Sequence, residues 1–313
     1  MIPIILALPA FIIGVLLLWK GSDILVDGTS KTAIHLGISS LIISVIIVGF
    51  GTSAPEFAIS VGAAIQNNSD ISLGNIIGSC IANLFLVLGI ASIIRPIKIK
   101  KNIIRREFLI MLGATVILLI SAYFGLLDEY RWFGGIFFLI FFVIFVTFFI
   151  MCAKNERNKQ KEITVNKTQK YIILIIIGII GVIIGAWLLI ESAVAIADFL
   201  GIPTFIIALS LVAVGTSVPE LVVSSMASYK KESDIAVGNV LGSNVFNILL
   251  ILGLAALFIP LKATIYVDHL LILLGLTIFM YPVLDIGKLI SRKKGIIMLI
   301  IYFIYIWYIF IYS

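Results

Sequence analysis

The chain has 313 residues, of which 62% are hydrophobic and 12% are charged, whereas a soluble domain is about half apolar and about a quarter charged. Apolar segments of about 18 or more residues recur along the whole length, which indicates a polytopic helical membrane protein and leaves no stretch for a separate soluble catalytic domain. The net charge of +6 follows from membrane topology and does not indicate nucleic-acid binding, and the isolated Cys80 and Cys152 exclude a disulfide framework or a cysteine metal site.

Clusters of charged and turn-forming residues divide the chain into ten predicted transmembrane helices. They are expected near residues 3–20, 35–66, 71–94, 104–123, 132–152, 171–198, 203–229, 234–258, 265–284 and 295–311. The first has no basic n-region, so it is interpreted as a membrane helix and not as a cleaved signal peptide. The second and seventh exceed the roughly 20 residues that span a bilayer. Each holds Gly-Thr-Ser-x-Pro in its middle, which predicts two broken helices.

The basic residues predict the orientation of these helices. With the N-terminus outside, 20 of the 22 lysines and arginines fall on the inner side, and only Arg131 and Lys262 fall outside. Because loops rich in lysine and arginine stay in the cytoplasm, we expect both termini outside. The basic segment 154–170 is then a cytoplasmic linker between a first five-helix domain, 1–153, and a second, 171–313.

The sequence contains an internal repeat. Shifted by 164 residues, positions 37–96 align with 201–260 without a gap and share 25 identities in 60 positions. Isoleucine-rich membrane sequence gives chance matches, but it does not explain the shared polar residues. Five helices per repeat is an odd number, so the second repeat is predicted to have inverted topology. Inverted repeats with interrupted helices are typical of secondary transporters, which bind their substrate near the membrane midplane.

Each repeat places a proline and a glutamate inside an apolar run, in "VGFGTSAPEFAIS" and "VAVGTSVPELVVS". Pro55 and Pro219 lack an N–H and clash with the carbonyl four residues earlier. The carbonyls that this frees are tolerated at membrane depth only where they line a protein cavity. Acids inside membrane helices are functional by default, and the recurrence favours a functional role for Glu56 and Glu220.

Oxygen-bearing side chains accompany both glutamates. Hydroxyls at the same depth belong to Thr52, Ser53, Thr216 and Ser217. The next helix of each repeat carries a polar stripe with spacing i, i+4, i+8, formed by Asn75, Ser79 and Asn83 in one repeat and by Asn239, Ser243 and Asn247 in the other. The twofold relation is expected to bring these groups together. All offer oxygen and none offers sulfur or imidazole, which suits calcium and sodium.

Asp27 and Glu191 also align under the 164-residue shift. They have no surrounding motif and lie close to helix ends, so they are interpreted as interfacial and left out of the site.

The segments "GTSAPE…GNIIGSCIAN" and "GTSVPE…GNVLGSNVFN" resemble the two α-repeats of the cation/calcium antiporter superfamily. The whole chain resembles the prokaryotic sodium/calcium exchangers. This resemblance implies a plasma-membrane antiporter that exchanges Na⁺ for Ca²⁺, with no cofactor and no enzymatic activity. Its expected partners are the two ions and the lipid bilayer, and no obligatory protein partner is expected. Proton-coupled members typically carry Gly-Asn-x-x-Glu, so Gly-Thr-Ser-x-Pro-Glu favours sodium coupling. The first and sixth helices are expected to slide past the core to alternate access.

The resemblance also implies a ligand set. Glu56 and Glu220 would be shared ligands of calcium and sodium. Carbonyls and side chains of further residues would complete the ion sites, namely the carbonyls of Thr52, Thr216 and Ala213 and the side chains of Ser53, Ser217, Ser79, Ser243 and Asn83. Asn247 of the polar stripe stands where potassium-dependent relatives carry Asp, so potassium co-transport is not expected and the site has two acids.

Two carboxylates in a dry site cannot both stay charged without cations or a proton. One calcium ion cancels the charge and three sodium ions leave +1, whereas an empty doubly charged site cannot cross a low-dielectric barrier, so exchange is obligatory. Calcium export against an assumed ten-thousandfold gradient and about 100 mV costs roughly 10 kcal/mol. Each sodium ion entering down an assumed tenfold gradient yields roughly 3.7 kcal/mol, which predicts electrogenic 3:1 exchange.

Three alternatives remain. The same fold could run calcium/proton antiport, which calcium uptake driven by a pH gradient without sodium would reveal. A cation channel could use the acids for selectivity, although channels usually build rings around a symmetric pore. A membrane enzyme is disfavoured because the sequence shows no nucleophile–base arrangement and no histidine or cysteine metal cluster.

Overall fold

The computed structural model describes residues 4–157, 168–200 and 215–312. Its helices are α1 (Ile4–Leu36), α2 (Ser40–Thr52), α3 (Ala54–Ile65), α4 (Ser69–Ile94), α5 (Leu109–Tyr123), α6 (Arg131–Arg157), α7 (Thr168–Phe199), α8 (Val218–Tyr229), α9 (Ser233–Phe258), α10 (Val267–Asp285) and α11 (Arg292–Tyr312). Short helical turns occur at Lys101–Ile103, Ile104–Phe108, Ala263–Tyr266 and Ile286–Lys288. Two-residue strands β1 (Ile97–Lys98) and β2 (Leu289–Ile290) pair antiparallel.

The helices form a bundle suited to a membrane. In the described ranges, seven helices are long and apolar enough to cross a bilayer, or eight if the bent pair α2–α3 counts as one span. The most apolar windows of α4 and α9 are each 83% buried, whereas those of α1 and α6 are 22% and 17% buried. Helices α4 and α9 therefore form the centre of an integral membrane protein, and α1 and α6 present large apolar side chains at its periphery.

The predicted break in the second helix is present. Helices α2 and α3 meet at Ser53 with a bend of 48°, and Pro55 is the second residue of α3, where its missing N–H removes no helical hydrogen bond. Helix α8 begins in the same way, with Pro219 as its second residue after Ser217. The first half of the predicted seventh helix, including Ala213, lies outside the described residues.

The prediction that the first helix ends near residue 20 is wrong, because α1 continues to Leu36. Its charged residues pair along one helical face instead of ending the helix. Lys20 contacts Asp23 at 3.6 Å, and Lys31 contacts Asp27 at 3.4 Å. Pairs with these i, i+3 and i, i+4 spacings stabilise a helix.

The boundaries of the predicted linker also differ from the structure. The first residues of the predicted segment, 154–157, continue α6. Its last three residues, 168–170, already belong to α7, which begins at Thr168. Residues 158–167 lie outside the described ranges.

Helices α1 and α7 pack along a seam of glycines. On α1, Gly14, Gly21 and Gly28 recur every seven residues, and a Cβ atom built on any of them would lie 2.9 to 3.0 Å from a backbone nitrogen of α7. Glycine is required at these positions because the two backbones touch. The two long helices therefore form a closely packed pair, which we call the α1–α7 pair.

A polar cluster joins this pair to the end of α8. Lys230 Nζ lies 2.5 Å from an oxygen of Asp23 and 2.6 Å from an oxygen of Asp27. One turn further along α1, the Ser30 hydroxyl donates to Glu232 at 2.7 Å. Asp27, interpreted from the sequence as interfacial, thus forms an ion pair between α1 and the α8–α9 turn.

Candidate functional site

The two motif glutamates lie at equivalent positions on two helices. Glu56 is in the first turn of α3, and Glu220 is in the first turn of α8. Both side chains are completely buried, and the hydroxyl of Ser53, three residues before Glu56, donates to Glu220 Oε1 at 3.2 Å. The amino-terminal end of a helix carries partial positive charge, which favours a carboxylate there. The local sequence thus positions two acids at two facing helix starts.

Close packing of α2 against α9 brings the two repeats together. A Cβ atom on Gly49 would lie 2.9 Å from the backbone nitrogen of Ser243, and one on Gly238 would lie 2.9 Å from Ser44 Cβ. Gly242 faces the backbone of Val45 so closely that no side chain fits. Backbone contact at these glycines places the polar face of α9 directly against the end of α2.

Each motif threonine is hydrogen-bonded by the polar stripe of the other repeat. Thr52 Oγ1 donates to Asn239 Oδ1 at 2.9 Å and lies 3.3 Å from Ser243 Oγ. Thr216 Oγ1 donates to Asn75 Oδ1 at 3.5 Å and lies 3.3 Å from Ser79 Oγ. Each repeat therefore bonds to the other through its motif threonine and its polar stripe.

The first asparagine of each stripe supports the turn that carries a glutamate. Asn75 Nδ2 donates to Ser60 Oγ at 2.9 Å and to the Glu56 carbonyl at 3.4 Å. Asn239 Nδ2 makes the equivalent bonds to Ser224 Oγ at 3.0 Å and to the Glu220 carbonyl at 3.4 Å. With both ends of each amide engaged, these two asparagines hold the glutamate-bearing helices in place.

The residues that link the two repeats through these contacts and through those of the carboxylates described next are called the polar crossing. They are Thr52, Ser53, Glu56, Asn75, Ser79, Thr216, Glu220, Asn239 and Ser243.

The two carboxylates differ in their hydrogen bonds. Glu220 Oε1 accepts from the hydroxyls of Ser53 and Ser243, each at 3.2 Å. Neither oxygen of Glu56 accepts a hydrogen bond. The hydroxyls of Ser79 and Thr216 lie beside Glu56 but bond to each other at 3.3 Å. Glu56 is thus the less satisfied of the two acids.

Buried polar atoms without a partner concentrate among the predicted site residues. In the described chain, seven of the twelve such side-chain atoms belong to them, namely both carboxylate oxygens of Glu56, Oε2 of Glu220, Oδ1 of Asn83, Oγ of Ser217, and Oδ1 and Nδ2 of Asn247. A buried polar atom without a partner is costly, and each instance requires an explanation such as a bound ion. The unpaired atoms are mostly oxygens, which are the ligands that hard cations prefer.

The structure brings the predicted residues together to different extents. Hydrogen bonds or side-chain contacts join Glu56, Glu220, Thr52, Thr216, Ser53, Ser79 and Ser243. Ser217, Asn83 and Asn247 are buried and carry unpaired atoms. Within the described ranges, no group of three or more His, Cys, Asp and Glu side chains could hold a metal ion. On the described helices, the buried oxygens of the predicted site belong to two carboxylates and to neutral hydroxyl and amide groups.

Sequence reasoning missed Asn244, which is adjacent to Ser243 but off the polar stripe. It is 1% exposed, and it bonds to Asn83, to the backbone of Cys80 and to Met111. The available signal was an amide on the inner face of a helix where the other repeat carries Cys80.

A broken helix and a pair of buried acids inside a bundle of membrane helices are features of membrane proteins that transport ions. The sodium/calcium exchanger protein family model matches residues 6–151 and 170–311, and the chain belongs to this family of ion exchangers.

Several relatives match along nearly the full length. An uncharacterized membrane protein of Methanocaldococcus jannaschii is 35% identical over 304 residues, which cover 96% of this chain and 97% of that protein. Sodium/calcium exchanger MaX1 of Methanosarcina acetivorans is 33% identical, with 93% of this chain and 95% of that protein covered. The solved structure of the sodium-calcium exchanger NCX_Mj, soaked with 10 mM Na⁺ and zero Ca²⁺, has a TM-score of 0.86 and 34% identity over 96% of this chain and 98% of that chain.

Proposed function

We propose that the protein is a secondary antiporter that exchanges Na⁺ for Ca²⁺ across the membrane and normally extrudes calcium. The observation that carries this proposal is the presence of two fully buried carboxylates, Glu56 and Glu220, three of whose four oxygens have no hydrogen-bond partner among the described residues. Two such charges need compensation by cations, and oxygen donors suit both sodium and calcium. The similarity to NCX_Mj and MaX1, both sodium/calcium exchangers, supports these two ions.

The proposed ligand set combines residues that carry unpaired buried atoms with hydroxyls and carbonyls of the two motifs. Glu56 and Glu220 bind both ions, with Asn83 and Asn247 contributing amide oxygens. The remaining ligands are the hydroxyls of Ser53, Ser217, Ser79 and Ser243 and the carbonyls of Thr52, Thr216 and Ala213. Glu56, whose oxygens accept no hydrogen bond, gains most when a cation enters.

The proposed architecture has ten transmembrane helices in two inverted five-helix repeats, 1–153 and 171–313, with segment 154–170 in the cytoplasm and both termini outside. Three features support it: the 164-residue repeat, the reciprocal hydrogen bonds of the polar crossing, and the distribution of basic residues. Alternating access then moves the α1–α7 pair past the core. Two features support this movement: the glycine seam makes the two helices a closely packed pair, and the most apolar windows of both helices are mostly exposed, at 22% and 28% buried.

The proposed stoichiometry is three sodium ions per calcium ion. Three inward sodium ions supply roughly 11 kcal/mol under the assumed gradients, against roughly 10 kcal/mol for one calcium ion exported. Each cycle would move one net positive charge inward.

Radiolabelled calcium uptake into sodium-loaded proteoliposomes tests the proposal. We expect uptake that requires outward sodium movement and that accelerates when the interior is made positive. Equal uptake without sodium, driven by a pH gradient, would instead establish calcium/proton antiport. Voltage-independent uptake would refute the 3:1 ratio while leaving sodium coupling intact.

A further inference from the structure

The side chain of Asn83 is held in one orientation by a second asparagine. Its Nδ2 donates to Asn244 Oδ1 at 3.0 Å. A carboxamide has a donor end and an acceptor end, so engaging the nitrogen leaves the oxygen turned away from Asn244. That oxygen is buried and has no hydrogen-bond partner among the described residues.

Donor and acceptor chemistry fixes the orientation of Asn244 in turn. Its Nδ2 donates to the Cys80 carbonyl at 3.1 Å and faces Met111 Sδ at 3.6 Å. A carbonyl and a thioether only accept, so the nitrogen end of Asn244 must face them and its oxygen must face Asn83. If Asn83 were reversed, two amide oxygens would meet in a dry interior, which is costly.

The matched position in the other repeat lacks this arrangement. The 164-residue shift aligns Asn244 with Cys80, and Asn83 with Asn247. The Cys80 side chain lies beside Asn247, but a thiol is only a weak donor and a weak acceptor. Both side-chain atoms of Asn247 are without a hydrogen-bond partner in the described helices.

We propose that Asn244 is a positioning residue that fixes the Asn83 oxygen as a cation ligand and makes the two amides of the site inequivalent. Asn83 is then a preset ligand, whereas Asn247 adjusts to the ion that is bound. Both ends of the Asn244 amide are engaged by protein atoms, so it acts through Asn83 and not by touching the cation. This inference rests on the proposed function, because the ligand of the Asn83 oxygen is the exchanged ion.

The test measures calcium affinity and transport rate separately. Calcium binding to the purified, sodium-free protein is determined by calorimetry for Asn244→Leu and Asn244→Cys, and uptake into proteoliposomes is determined in parallel. Losing a group that orients a metal ligand typically weakens binding about tenfold or more. We therefore expect about a tenfold rise in the calcium dissociation constant and in half-saturation for uptake, with a smaller change in maximal rate.

A second comparison isolates the route through Asn83. In an Asn83→Ala background, Asn244→Cys should cause no further loss of affinity, because contacting residues are not additive when one acts through the other. Asn244→Cys guards against misfolding, since the chain already carries cysteine at the matched buried position. Thr115→Val is the matched control. It removes a buried hydroxyl that donates to the Met111 carbonyl at 3.0 Å, and affinity should stay at the wild-type value.

The outcomes separate two failures. Wild-type affinity in both Asn244 variants, or an equal loss in the presence and absence of the Asn83 side chain, would overturn the inference alone. If the unmodified protein bound no calcium, the proposed function would fall and the inference with it.

Discussion

The polar crossing and the α1–α7 pair are both closely packed, but different forces hold them. At the crossing, buried hydroxyls, amides and carboxylates bond from one repeat to the other, as Thr52 does to Asn239 at 2.9 Å. In the α1–α7 pair, backbone meets backbone along Gly14, Gly21 and Gly28. The crossing is therefore specified by directional bonds, whereas the pair is specified by the absence of side chains.

This difference assigns separate tasks to the two regions. Directional bonds fix donor positions to within tenths of an ångström, which an ion site needs. A glycine seam keeps two helices together but gives the pair few directional bonds to the core. Its polar attachment near Lys230 is at least partly exposed. We therefore expect substitutions at the crossing to change ion binding, and substitutions at the seam to change stability and movement.

The largest effect is expected from Glu56→Gln, with Glu220→Gln as its counterpart. Either change removes one of the two charges that cations neutralise and introduces an NH₂ group that cannot bind a cation. Sodium-dependent calcium uptake into proteoliposomes should fall to the level of empty vesicles. The detergent-purified variants should elute like wild type, which shows that folding is intact. Wild-type transport in either variant would mean that the ligands are misassigned.

Asn247→Asp should produce a change in selectivity. A third carboxylate in a dry site favours divalent cations and also binds protons more readily. We expect uptake at saturating calcium to become more sensitive to acid and sodium to compete less well, measured as initial rates across pH and sodium concentration. Asn247→Ala separates the loss of the amide from the gain of charge. An unchanged profile for Asn247→Asp would place this residue outside the ion site.

Gly21→Leu should separate the α1–α7 pair. The Cβ atom alone would lie 2.9 Å from the backbone nitrogen of Val182, and overpacking of this kind costs about 1–3 kcal/mol. We expect a lower unfolding temperature in detergent and slower transport, with calcium affinity of the folded fraction retained. Gly275→Leu is the control, because no described atom lies within 4 Å of a Cβ built there. Equal melting of the two variants would contradict the importance of the seam.

The smallest effect is expected from Lys230→Met, which removes the ion pairs with Asp23 and Asp27. These side chains are 21%, 31% and 45% exposed, so water and salt screen the pairs and the loss should stay below about 1 kcal/mol. We expect a small fall in melting temperature that diminishes at high salt. Lys231→Met makes the same charge change at the exposed neighbouring position and should have less effect. A fall of several kcal/mol in the free energy of unfolding would show that this cluster is more than a surface contact.

Much of the fold followed from local signals. The break at Ser53 followed from Pro55, since proline excludes a continuous helix. The burial of Glu56 and Glu220 followed from their position inside apolar runs. The length of α1 could not be predicted from the sequence, because a cluster of charged residues is typical of a loop. Only the structure shows that these residues pair along one face of a continuous helix.

The asymmetry of the site was hidden for a similar reason. Alignment of the repeats shows that Cys80 corresponds to Asn244, but only the three-dimensional contacts show that Asn244 faces Asn83. The bond from Thr52 to Asn239 joins residues 187 positions apart, and the bond from Thr216 to Asn75 joins residues 141 positions apart. Periodicity reports which side chains share a helical face, and it does not report which helices meet.

Thr52 of the first repeat bonds to Asn239 of the second, and Thr216 of the second repeat bonds to Asn75 of the first. These reciprocal bonds have a consequence for biogenesis. When only the first 157 residues have been synthesised, Thr52 and Asn75 are present but their partners Asn239 and Thr216 are not. In the bilayer, the polar groups of Thr52 and Asn75 then either lack these hydrogen bonds or bind another group temporarily. Two fragments divided between residues 158 and 167 and produced together should therefore complement each other, while either one alone should be degraded.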